Sequence, residues 1–114
     1  MPQDIPSITI HQDLAAGRWQ KMTLCEQLGN IGSEVSRALN WQERGNEEQS
    51  WRAFDRALEL FSLTQTDKRW FGRLQEVARA KEVFGDFFIG SNEYQSSKES
   101  IIKYFDAFAI VARR

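Results

Sequence analysis

The chain is predicted to be all-α, an antiparallel up-down-up-down four-helix bundle preceded by a short extended N-terminal arm. Three observations predict it. The two prolines, Pro2 and Pro6, both precede the first helical period, so nothing beyond Pro6 removes a backbone donor. Apolar residues then recur at steps of three and four along four successive stretches. Between those stretches stand cap and stop residues, Gly45-Asn46, Thr66-Asp67 and the run from Gly90 to Ser96.

At 114 residues the chain is expected to form one domain, 1–114. Residues 1–12 read as the arm, with Ser7-Ile8-Thr9-Ile10 alternating as an extended segment does. The helices are expected over about 14–44, 47–64, 67–89 and 97–113.

The first helix has its N-cap signal between Asp13 and Arg18. Its apolar stripe is Trp19, Met22, Cys25, Leu28, Ile31, Val35, Ala38 and Leu39. Gly29 and Gly32 lie beside that stripe, where mid-helix glycine costs up to ~1 kcal/mol against alanine. A close helix–helix approach there would offset the cost. Gly45 suits a left-handed C-terminal cap.

The second helix opens with Asn46 as N-cap, Gln49 three residues on and Glu47-Glu48 in the first turn, where the helix dipole favours negative charge. Its stripe is Trp51, Phe54, Leu58 and Phe61, with Ala57 alongside. The third opens at Thr66 or Asp67 and carries Trp70, Phe71, Leu74, Val77, Ala78, Phe84, Phe87 and Phe88. Ser96 and Glu99 form an S-x-x-E capping box before the fourth, which carries Ile101, Ile102, Phe105, Phe108, Ala109 and Ala112.

Short connections favour antiparallel neighbours. At ~1.5 Å per residue the first helix would be ~40 Å long and the others ~25–33 Å. An overhang of that size would leave Trp19 and Met22 uncovered within one chain. Together with Ile8 and Ile10 they are the candidate oligomer contact, because aromatic residues concentrate at interfaces.

The function classes narrow by chemistry. The formal net charge is −1, which does not favour nucleic-acid binding, since phosphate recognition draws on a basic excess. The apolar fraction of 41% shows no run near the ~18 residues of a membrane span. Met1 to Ile10 lacks the basic and apolar regions of a signal peptide, and the expected location is the cytoplasm. Cys25 is the one cysteine and His11 the one histidine, so no Cys-based cage, no E-x-x-H pair and no Cys–His or Ser–His arrangement stands out. The phosphate-cradling glycine motifs are missing as well. No catalytic residue, metal or cofactor is expected.

Two polar features add to this. Glu26, Asn30, Ser33, Glu34 and Arg37 share a face of the first helix. Lys68, Arg69, Arg73 and Arg79, with Trp70 among them, make the most basic segment, a candidate nucleic-acid face on which bases could stack.

Leu28-Gly29-Asn30-Ile31-Gly32-Ser33-Glu34, followed by a polar turn and Phe54-Asp55-Arg56-Ala57-Leu58-Glu59-Leu60, resembles the small four-helix-bundle proteins of the 23S rRNA intervening-sequence and retroelement-accessory type. The similar stretch covers roughly residues 24–64. The resemblance implies a chain of this length, four antiparallel helices and assembly into rings of subunits. It carries no functional residue over. The expected function is a non-catalytic helical interaction or scaffold protein that forms a homo-oligomer and takes protein partners. The alternative is an accessory protein that binds nucleic acid, or a nucleic-acid enzyme, through the basic face.

Overall fold

In the computed structural model, which describes residues 17–113, the chain is all-α. Four α-helices follow one another: α1 (Leu24–Glu43), α2 (Glu47–Gln65), α3 (Leu74–Phe88) and α4 (Lys98–Ala112). A 3-10 turn (Trp19–Lys21) precedes α1, and a 3-10 segment (Lys68–Arg73) leads into α3. There is no strand among the described residues. The expected arm, with Ile8, Ile10 and His11, lies outside them, as does Asp13. No described helix is long and apolar enough to cross a membrane.

The first helix is shorter than the period predicts. The backbone turns extended at Met22 (φ −84, ψ 150), and Thr23 restarts it as N-cap. The Thr23 hydroxyl accepts from Glu26 N (3.1 Å), and the Glu26 carboxylate accepts from Thr23 N (2.8 Å). This T-x-x-E box satisfies two orphan donors reciprocally, which favours starting a helix at Leu24 over continuing one from Trp19. α1 therefore has 20 residues and α2 has 19, about 30 Å each, so α1 does not overhang α2 and Trp19 stands outside it.

Gly45 takes the left-handed conformation expected of it (φ 79). Gly45 N donates to Gln42 O (3.0 Å) and Asn46 N to Trp41 O (3.0 Å), closing a Schellman motif. Asn46 then turns its side chain to Gln49 N (3.1 Å) and caps α2. One Gly-Asn pair thus ends one helix and begins the next.

The buried face of α2 is Ser50, Ala53, Phe54, Ala57, Leu60, Phe61 and Thr64. This face is rotated from the predicted stripe. Trp51 is 44% exposed, with its ring edge-on to Phe54 (5.4 Å) and Phe88 (5.1 Å), while Leu58 is half-buried. The small Ala53 and Ala57 are fully buried, and the large Trp51 ring stands at the margin of that face.

The expected third helix divides. Asp67 accepts from Arg69 N (3.1 Å) and caps the 3-10 segment, and regular α-helix begins only at Leu74. The tighter winding turns Trp70 inward and leaves Phe71 58% exposed, against its predicted core position. The fourth helix is capped one residue later than expected, by Ser97 with Ser100. Ser96 is already held at both backbone groups by the Asn92 side chain (2.9 Å each), so Ser97 is the residue left to cap.

α1 is the central helix. It packs along α2 and α4, and both glycines flagged in the sequence sit on the α4 side. A Cβ on Gly29 would lie 3.1 Å from Ala109 Cα, and one on Gly32 would lie 2.5 Å from Phe105 Cβ. The absent side chains allow α4 to seat Phe105 in the core beside Phe61 (ring centroids 6.1 Å). A second aromatic group joins α2 to α3, where Phe54 stacks on Phe88 (4.4 Å, 10° between planes) and tilts against Phe84 (5.3 Å). Each such pair adds roughly 0.5–1.5 kcal/mol to the area it buries.

The two kinds of glycine should respond oppositely to alanine. Gly32→Ala must push Phe105 out of place and should cost about 1–3 kcal/mol in denaturant unfolding. Gly85→Ala, in α3 with nothing within 4 Å of its Cβ, should stabilise by about 0.5–1 kcal/mol.

Candidate functional site

The densest polar arrangement is buried where the N-terminal turn, α1, α2 and the 3-10 segment meet. At its centre is Gln27, which is fully buried. Its Oε1 accepts from Thr64 Oγ1 (3.0 Å) and from Trp70 Nε1 (2.9 Å). Its Nε2 donates to Trp19 O (2.8 Å) and to Asp67 Oδ2 (3.2 Å). The Thr64 hydroxyl in turn accepts from Trp19 Nε1 (3.1 Å). Two donors and two acceptor positions are all an amide side chain has, and all four are used.

Asp67 continues the network outward. Its carboxylate accepts from Arg69 N and Nε (3.1 Å each) and from Arg69 Nη2 (2.8 Å), besides Gln27. Arg69 Nη2 also donates to Met22 O (2.7 Å), and the guanidinium lies 4.4 Å from the Trp70 ring centroid. The Arg69 hydrogen bond, opposed by burial and helped by Gln27, lowers the Asp67 carboxyl from 3.8 to about 2. The same bond raises the Arg69 guanidinium. With its hydrogen-bonding positions filled, the cluster works as a clamp on the fold.

That clamp decides where the residues singled out in the sequence stand. Trp19, expected at an overhang, is fully buried in the chain's own core. Met22 is half-buried, with its carbonyl held by Arg69 and its sulfur 3.8 Å from Asn30 Nδ2. Neither is an exposed contact, because the chain folds back at Met22 and inserts the indole between α1 and α2. Ile8 and Ile10 fall outside the described residues.

The candidate basic face is drawn apart in a similar way. Arg69 is taken by Asp67, and Trp70 has its Nε1 turned inward and Arg69 over its ring. Arg73 pairs with Glu76 (2.6 Å), and Arg79 lies 3.9 Å from Glu82 and 5.7 Å from the Tyr94 ring. Lys68 is exposed. On the polar face of α1, Glu34 takes Arg37 (3.1 Å) and Arg56 (3.8 Å), which ties that strip to α2. Among the described residues no three His, Cys, Asp or Glu side chains gather as metal ligands would.

α4 also exposes apolar side chains that its helical period assigned to no site. Ile101 and Phe105 are its buried residues, yet Tyr104 is 40%, Ile110 53% and Val111 48% exposed. Burial raises the Tyr104 hydroxyl above its usual value, with Glu76 adding to the effect and Arg73 opposing it. Towards α3 the helix borders a cleft of about 240 Å³ lined by Arg79, Ala80, Val83, Ser96, Ser100, Ile101, Tyr104 and Phe105. The signal was present, because this helix carries more large apolar residues than its one buried side can cover.

Gln27→Leu should cost about 2–4 kcal/mol, since it takes the acceptor from Trp70 Nε1 and from the buried Thr64 hydroxyl. Asp67→Asn should cost about 1–2 kcal/mol at neutral pH. A carboxyl lowered in the folded state stabilises above its ordinary value and loses that contribution as pH falls through the folded value. The gap between wild type and Asp67→Asn in urea unfolding should therefore narrow from about pH 4 downward and close near pH 2.

No protein-family model, no curated protein and no solved structure matches this chain, so its own surfaces carry the functional conclusion.

Proposed function

We propose that the chain is a non-catalytic helical interaction protein of the cytoplasm that self-associates. The exposed apolar surface of α4 supports this most strongly. Tyr104, Ile110 and Val111 are 40–53% exposed on a helix whose other side already fills the core. Large apolar side chains exposed together on one helix of a small protein point to an interaction site. The resemblance of residues 24–64 to ring-forming four-helix-bundle proteins points the same way.

The bundle is up-down-up-down in this proposal. Along α1 and α2, Gln27 meets Thr64 and Glu34 meets Arg56, so contacts climb one helix as they descend the other. Along α1 and α4, Gly29 meets Ala109, Gly32 meets Phe105 and Glu43 meets Lys98, again in opposite senses.

The alternative is a nucleic-acid accessory using Lys68, Arg69, Trp70, Arg73 and Arg79. The carboxylate partners of Arg69, Arg73 and Arg79 favour self-association over it, since each pairing reduces the charge available to phosphate. Sedimentation equilibrium over a hundredfold concentration range should show the mass rising above 13.3 kDa. A constant monomer mass would discard self-association. Titration with single-stranded RNA and DNA at low salt should show no binding, and affinity that falls steeply with added salt would shift the conclusion to the alternative.

A further inference from the structure

We propose that the cleft between α3 and α4 binds a small carboxylate with an apolar body. This goes beyond self-association and does not depend on it, because one chain supplies every wall. α1 lies close along α2 and α4, whereas the backbones of α3 and α4 hardly approach each other. The side chains that would close that gap are short, with Ala80 on the α3 side and Ser96 and Ser100 on the other. A space of about 240 Å³ remains, and its floor is the core itself, the buried Ile101 and Phe105.

Water fills such a space poorly, because an ordered water needs two to four polar partners and an apolar floor offers none. An apolar body gains there, by leaving water and by touching side chains that otherwise face a gap. A dry cavity of about 150 Å³ holds a benzene ring, so 240 Å³ takes roughly ten non-hydrogen atoms. That is too small to enclose a nucleotide or a long acyl chain.

The polar groups of the cleft choose the head group. Arg79 leans towards the loop before α4, its guanidinium 5.7 Å from the Tyr94 ring centroid. It approaches Glu82 through Nε at 3.9 Å, too long for a hydrogen bond, so its N–H groups make none among the described residues. The Glu82 carboxylate is itself held by the Tyr94 hydroxyl (2.9 Å). Asn92 takes both backbone groups of Ser96 and leaves its hydroxyl without a partner among the described residues. The Ser100 hydroxyl, by contrast, is spent on the cap of α4. A guanidinium fork fits a planar carboxylate through two parallel N–H bonds, and a serine hydroxyl adds a third donor. Arg79 is the single cation lining the cleft among the described residues, and Glu82 stands beside it. That balance suits a monoanion rather than a phosphate dianion.

Octanoate and phenylacetate are the probes, with octanol and phenethyl alcohol as their uncharged counterparts, titrated against the amide chemical shifts of the full chain. At least one carboxylate should saturate with a dissociation constant of about 1 mM or lower. The shifts should centre on Arg79, Ala80, Val83, Ile101 and Phe105. Which carboxylate binds tells an alkyl body from an aromatic one. Weaker binding by both, or shifts centred elsewhere, overturns the site.

Arg79→Gln should weaken the carboxylate about 3–10-fold and leave the alcohol unchanged. Unchanged carboxylate affinity in that variant overturns the choice of head group. Val83→Trp, which fills the cleft, should abolish binding of all four probes, with circular dichroism melting as the check that it folds. Undiminished binding by folded Val83→Trp overturns the site. If that variant does not fold, the shift map and Arg79→Gln still decide. Sedimentation of the parent without probe reports on self-association alone, so either reading can fail while the other stands.

Discussion

The fold turns on one buried amide. Gln27 stands on the apolar side of α1, and an amide in that position costs several kcal/mol unless every polar atom finds a partner. Its partners come from far along the chain, at separations of 8, 37, 40 and 43 residues. Meeting them all at once fixes the N-terminal turn, the end of α2 and the 3-10 segment relative to α1. Leucine at position 27 would fill similar space without selecting among packings. A fully bonded amide accepts one arrangement, which is how a buried polar network gives a core a single solution.

That constraint has consequences at the opposite side of α1. With Trp19 and Trp70 turned inward to serve the clamp, the large aromatics near the N-terminal end are held within the chain. α1 then gives its two glycines to α4, which lies close enough to bury Phe105 but keeps much of its apolar surface outside. The surface available for association is set by what the interior has taken. Interior demand removes Trp19 from the candidates and leaves Tyr104, Ile110 and Val111.

Much of this was legible in the sequence, and the parts that were not share a physical cause. Signals contained within a few residues read true, as with the left-handed Gly45, the Asn46 cap and the close approach at Gly29 and Gly32. Where two local signals compete, the outcome depends on something farther away. Thr23 and Glu26 spell a capping box, but Trp19, Met22 and Cys25 spell a continuing helix, and the bond from Trp19 to Thr64 across 45 positions favours the first. Ser96 and Ser97 were near-equivalent caps until Asn92 claimed Ser96. The basic segment looked like a face because charge was counted along the chain. In space, Asp67, Glu76 and Glu82 stand beside its arginines. The surface of α4 was missed for the converse reason. A search for stripes assigns apolar residues to the core and does not ask how many one helix can bury.

Nuclear Overhauser contacts between two copies test the central claim most directly. An equimolar mixture of isotope-labelled and unlabelled chain, at a concentration where the dimer is populated, separates contacts between copies from those within one. Cross-peaks that join the Tyr104 ring or the Ile110 and Val111 methyl groups of one copy to the other copy are the predicted result. A populated dimer whose inter-copy contacts arise elsewhere, with none at Tyr104, Ile110 or Val111, would contradict it.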